Sequence, residues 1–239
     1  MTTNLLTHAQ FDELGSLDSS AVANAIEAFD VRLRNRGFAD SSVHCIFEDN
    51  PPMVGYAATL RVRTAEPPME GHNHYYRLDW LDHLLSIPSP RVLVLEDLDR
   101  PPGLGSFLGV VHANILFALA CVGVVTNGAV RNVPEAHAIN FQLFAGNLSV
   151  SHAYAHIVDF GKDVEVGHMH VQPGDLIHGD RHGVQTIPNE IAHKIPAVAR
   201  EMIEQEQEII QLCRSDNFTL EKLRAEVSAL GEKRKEIKR

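Results

Sequence analysis

Hydrophobic positions change their spacing several times along the 239-residue chain, and each change marks an element. Over residues 14–36, Val22, Ile26, Phe29 and Leu33 recur at helical intervals, Ser19 and Ser20 offer caps, and Gly37 stops the run. After the breaker Pro51-Pro52, residues 53–62 read as a β-rich run around a close-packed Gly55. Leu78, Leu81, Leu84 and Leu85 give a buried stripe to a helix over 76–85. Residues 91–95 are continuously apolar beyond Arg91, the pattern of a strand covered on both faces. No charged residue occurs from Phe107 to Val130. Within that stretch lie a buried helix, a short strand at 122–126 and the turn signal Asn127-Gly128. A helix follows at 133–139, with Pro134 in its first turn. The second half reads as strands at 141–145 and 149–160, an alternating stretch at 164–171, and strands at 175–180 and 184–187. From residue 189 onward the pattern is helical.

Composition narrows the class. With 44% hydrophobic and 22% charged residues, the chain reads as a globular protein able to bury a full core. The economical description is one α/β domain over 1–239: an N-terminal helix at 14–36, a core at 50–188 and a C-terminal helical arm at 189–239. A net charge of −10 argues against direct nucleic-acid binding. The one dense basic run, residues 232–239, is mixed in sign and reads as a solvated helix end. Cys45, Cys121 and Cys213 are widely separated, as expected of reduced thiols in a cytosolic protein. Residues 1–14 lack the basic and apolar segments of a signal peptide, and the apolar run after Gly109 is too short and too interrupted to cross a bilayer.

The candidate chemistry sits in residues 103–132. Gly103, Gly105 and Gly109 let a backbone approach a ligand, and the helix after them starts with free N–H groups. Arg131 falls just beyond the strand and turn. A helix start facing a guanidinium forms a receptor for a small carboxylate. An ion pair between Arg131 and a core acid is the plainer alternative.

Two blocks carry a family resemblance. Gly109 is followed by Gly123-Val124-Val125 and then by Asn127-Gly128-Ala129-Val130-Arg131. Further on come Val171-Gln172-Pro173-Gly174-Asp175-Leu176, Asp180, His182-Gly183-Val184 and Ile187-Pro188. Together, in this order, they resemble the superfamily of regulator of ribonuclease activity A and 4-hydroxy-4-methyl-2-oxoglutarate aldolase, over roughly residues 15–220. The resemblance implies an α/β core with two β layers and one helical layer, assembled as a homotrimer or a dimer of trimers. It implies divalent-metal aldolases that cleave a pyruvate-yielding 2-oxo acid, or decarboxylate oxaloacetate, in the catalytic members. A ribonuclease-inhibiting branch acts by protein contact.

In catalytic members an acid follows the glycine matching Gly109, and an Arg-Asp pair ends the turn. The positions here are Val110, Arg131 and Asn132, and Asn24 aligns with a third family acid. The substrate-gripping parts therefore remain: Gly109, the amides of Val111 and His112, and Arg131. Magnesium or manganese prefers charged oxygens, and only Asn132 offers a neutral carbonyl at this degenerate metal position. A weak or absent cation site is the expectation. In the family a glutamate of a neighbouring subunit's arm delivers a proton, for which Glu204, Glu206 and Glu208 are equivalent candidates; a solvated helix face explains them equally well.

His112, in the first helical turn, reads either as a catalytic acid or ligand or as a structural residue. Among the 14 histidines, the pairs His152/His156, His168/His170 and His178/His182 could chelate a borderline metal or simply satisfy turns. Asp175 and Asp180 read as turn residues. Two functions follow. One is binding of a small 2-oxo or 2-hydroxy acid, with a carbon–carbon lyase as the enzyme class; the other is a non-catalytic regulator. A methyltransferase is disfavoured, because the glycines do not follow the first strand of a nucleotide-binding βαβ unit.

Overall fold

The structure, a computed structural model, describes residues 5–68 and 77–237. In chain order its helices are α1 (His8–Gly15), α2 (Ser19–Phe29), α3 (Asp79–Ser86), α4 (Val110–Ala118), α5 (Val133–Ala138), α6 (Ile195–Arg214) and α7 (Leu220–Ile237). Its strands are β1 (His44–Cys45), β2 (Met53–Arg63), β3 (Arg91–Asp97), β4 (Cys121–Thr126), β5 (Ala129–Val130), β6 (Gln142–Ala145), β7 (Asn147–Leu148), β8 (His156–Phe160), β9 (Val164–Val166), β10 (Met169–Val171), β11 (Leu176–Asp180) and β12 (Gly183–Ile187). They group into two compact units, Asn35–Ile187 and the pair of terminal segments Met1–Arg34 and Pro188–Arg239.

The Asn35–Ile187 unit is α/β. Its main sheet of eight strands runs β1-β6-β4-β3-β2-β11-β12, with β8 pairing a further stretch of β2. The β6-β4-β3-β2 block is parallel, and β1, β8, β11 and β12 join antiparallel. Apolar residues on both sides of β3 explain its central place: Val92 to Leu95 are all buried. Alternation splits them. Val92 and Val94 pack with Val125, Phe144 and the β9–β10 residues Val164, Val166, Met169 and Val171, so this hairpin forms a second β layer on the sheet. Helix α3 packs along β2 and α4 along β4. A Cβ on Gly55 would sit 2.9 Å from the Pro90 carbonyl oxygen, the close packing expected there.

In the terminal unit, α6 packs on α2, with Val22, Ala25 and Ile26 buried on one and Ile195, Ala199 and Met202 on the other. Of the helix expected at 14–36, only Ser19–Phe29 forms as α2, after the last two residues of α1. Asp18, rather than Ser19 or Ser20, caps α2 by accepting from Ala21 N at 2.8 Å. Helix α2 ends well before Gly37, because Asp30 turns left-handed at φ 55°.

Two strand expectations also change. Only His156–Phe160 of the 149–160 stretch is a strand. Ser149 Oγ donates to the carbonyls of Leu104 and Ser151, and Ser151 Oγ accepts from Ala153 N, so local side-chain bonds displace the ladder. The 164–171 alternation is broken at Gly167 and His168, both at positive φ, into the β9–β10 hairpin. Residue 76, the expected start of α3, and the side chains of the 232–239 run lie outside the described residues. No described helix is long and apolar enough to cross a membrane.

Candidate functional site

The site begins where β4 ends. Asn127 Oδ1 accepts from Asp97 N at 2.7 Å, and its Nδ2 donates to Asp97 O at 3.0 Å, so an amide side chain extends the ladder into the turn. Gly128 N then donates to Thr126 Oγ1 at 2.9 Å. The chain re-enters β structure as β5, which pairs with β7 in the register Ala129 to Asn147 and Val130 to Leu148. Val130 also bridges Leu108, one residue before the glycine that opens α4. Arg131 and Asn132 follow directly, with Asn132 at φ 57°, a conformation asparagine tolerates, leading into α5.

These pairings bring Gly109, Val110, Arg131 and Asn132 together, while neither Val111 nor His112 is among the residues lining the adjoining cleft. A Cβ on Gly109 would lie 3.1 Å from Arg131 Nε and 3.4 Å from both Arg131 Nη2 and Asn132 Oδ1, so the missing side chain admits the guanidinium to the start of α4. Gly109 itself is extended, and its role is steric. Val110 N, an otherwise uncapped donor of the first turn, donates to Asn132 Oδ1 at 3.4 Å. The His112 ring stacks on Phe107 at 4.7 Å. Burial, and then the nearby Arg131 charge, lower its pKa below the ordinary histidine value, favouring the neutral ring. Val111 is exposed.

A cleft of about 430 Å³ opens beside these groups, lined by Val130–Val133 and by Leu148, Ser149 and Val150. The last three residues were not foreseen as part of a site. Their signal in the sequence is slight: an isolated valine between two serines.

The other two loop glycines serve the fold. Gly103 N donates to Asp97 Oδ2 at 2.8 Å and Gly105 N to Thr64 Oγ1 at 3.1 Å. A Cβ on Gly105 would lie 2.6 Å from His152 O. Asp99 anchors the same loop: burial opposes its ionisation, but bonds from Thr64 N and Ala65 N hold its pKa below the usual carboxylate range.

At the positions that the resemblance matches to metal-binding acids, Val110 and Asn132 bring no charged oxygen of the kind magnesium or manganese prefers. Val110 has no donor atom, and the Asn132 oxygen already accepts from Val110 N. Among the described residues no three His, Cys, Asp or Glu side chains converge as a metal-binding group. The histidines meet turns and carboxylates instead. His152 and His156 contact the carbonyls of Ala153 and Tyr154, His168 approaches Asp40, His170 approaches Asp163, and His182 approaches Asp180. Asp175 and Asp180 accept from Gln172 N and His182 N, as turn residues do. Burial pushes the thiol of Cys45 up to about 11 and that of Cys121 to about 12, which disfavours either as a nucleophile. Asn24 lies on α2 and Glu204, Glu206 and Glu208 on α6, all in the terminal unit.

The α/β sheet thus sets the Arg131 guanidinium against a helix start, and among the described residues no carboxylate lines the adjoining cleft. The comparisons give it a family. A family model described as RraA-like, Aldolase/RraA, matches residues 22–185, and the chain belongs to that family. A curated relative from Halalkalibacterium halodurans, "Putative 4-hydroxy-4-methyl-2-oxoglutarate aldolase", is 34% identical over 71 residues, which are 29% of this chain and 34% of the relative. The match thus spans about a third of that protein's length. An uncharacterized protein from Pseudomonas syringae superposes with a TM-score of 0.71 at 20% identity, covering 94% of this chain and 97% of its own. RraAS2 of Streptomyces coelicolor, described as an unusual member of the RNase ES inhibitor RraA family, gives 0.67 at 18% identity, covering 87% and 99%. These two likenesses establish the fold.

Proposed function

We propose that this protein binds a small 2-oxo or 2-hydroxy acid, with its carboxylate on Arg131 and the positive end of α4 beside it. The observation that carries the reading is the approach of the Arg131 guanidinium to Gly109 at the mouth of a cleft. A planar carboxylate matches a guanidinium in two parallel hydrogen bonds, and the helix start adds a favourable field. Family membership and the aldolase relative support a carbon–carbon lyase. In such a reaction the electrons of the broken bond pass into the 2-oxo carbonyl, and the enolate is then protonated at carbon 3. Arg131 would hold the carboxylate and oppose the charge developing on the enolate oxygen. Neutral His112 would take the proton from the substrate hydroxyl as the bond breaks and, as the imidazolium so formed, return it to carbon 3 of the enolate. A homotrimer or dimer of trimers in the cytoplasm completes the proposal.

The test is exchange of the pyruvate methyl protons in deuterated water, followed by NMR alongside a calorimetric titration with pyruvate. Wild type binds and exchanges. Arg131→Gln weakens binding by about 10- to 100-fold, the range of a lost charge-assisted contact. Unchanged affinity in the variant would refute the carboxylate role. A second reading, a regulator acting by protein contact, is favoured by Val110 and Asn132 in place of acids. It predicts binding without any exchange at all.

A further inference from the structure

We propose that the Arg131 cleft selects monocarboxylic 2-oxo acids with an aliphatic tail and discriminates against dicarboxylic ones. This rests on the carboxylate reading above and adds the identity of the ligand's far end.

The lining decides it. Beyond Arg131, the cleft is walled by the aliphatic side chains of Val130, Val133, Leu148 and Val150. Two of its polar side-chain oxygens are already engaged. Ser149 Oγ donates toward Leu104 O at 2.9 Å and Ser151 O at 3.0 Å, and Asn132 Oδ1 accepts from Val110 N. Among the described residues Arg131 is the one cation lining the cleft. A first carboxylate placed on it leaves a second with no counter-charge and set against an aliphatic wall that strips part of its hydration. An alkyl tail meets the opposite situation. Val150 is 99% exposed and Leu148 57% exposed, so a tail laid between them removes apolar surface from water on both partners. Fully burying one methylene is equivalent to about fourfold in affinity. A cleft of about 430 Å³ accommodates a chain longer than that of pyruvate.

The experiment is a calorimetric series on the full-length protein with pyruvate, 2-oxobutanoate, 2-oxopentanoate, oxaloacetate and 2-oxoglutarate. It is repeated with Arg131→Gln and Val150→Lys, each checked for its fold by circular dichroism. Affinity is expected to rise by about two- to fourfold with each added carbon of the monoacids. 2-Oxoglutarate should bind at least about tenfold more weakly than 2-oxopentanoate, which has the same number of carbons. Val150→Lys, at a fully exposed position where folding is safe, should bring the two within about threefold of each other by adding the missing cation.

Equal binding of 2-oxoglutarate and 2-oxopentanoate by wild type, with loss of both in Arg131→Gln, would overturn tail selection and leave the head-group reading intact. Affinities indifferent to Arg131→Gln, or no binding by any acid, would overturn both.

Discussion

The smallest decisive feature is the hydrogen atom that Gly109 carries in place of a side chain. With extended dihedrals, alanine fits this backbone, but its methyl group would stand 3.1 Å from Arg131 Nε. Gly109→Ala is therefore expected to fold with a melting temperature close to wild type and to bind pyruvate at least about tenfold more weakly, as read by calorimetry. His112 makes a separate test. Its folded pKa lies below its unfolded value, so its contribution to stability is present at higher pH and is lost as pH falls through the ordinary histidine range. Melting temperatures measured from about pH 8 to about pH 5 should fall less steeply for His112→Gln than for wild type. Arg131 was legible because an Asn-Gly turn after an uncharged run fixes where the chain reverses. Its neighbour Phe107 was not, since stacking on His112 depends on a loop path that spacing alone does not encode.

At the level of elements, strands buried on both faces were the most readable. Residues 91–95 carry no polar side after Arg91, and the structure extends them only to Asp97. The long N-terminal helix was misread, because helical spacing runs on past positions where Asp18 and Asp30 offer the backbone better partners or turns. The stretch after residue 148 was misread for a related reason, as serine hydroxyls there compete for backbone groups. Asn127 is the joint between two elements, since it satisfies both backbone groups of Asp97. Asn127→Ala leaves both without their partner, and urea denaturation should report a loss of about 1–3 kcal/mol. Its effect on pyruvate binding should exceed that of a surface substitution, because Arg131 is positioned through this turn.

Across the whole molecule, the architecture is the family's, and the departure that the resemblance implies is one of charge. The fold is that of the family, and the sequence resemblance implies that Arg131 is kept while Val110 and Asn132 stand where catalytic members carry acids that would attract a hard cation. Pyruvate affinity is accordingly expected to be the same in EDTA and in millimolar magnesium or manganese. A tenfold gain with either metal would show that oxygen donors outside this corner assemble a site. The apolar wall of the cleft was illegible for a reason of scale: residues 130 and 148 become neighbours only through two-residue strands, too short to leave a periodic trace.

That pairing of Val130 with Leu148 makes ligand choice a matter of backbone arithmetic. One residue inserted near Gly146 would slip the ladder by a single pleat and send the Leu148 side chain to the reverse face. The cation would keep its post while the oily surface opposite it turned away. A lineage changing its diet could thus do so by altering a loop's length, leaving the arginine untouched.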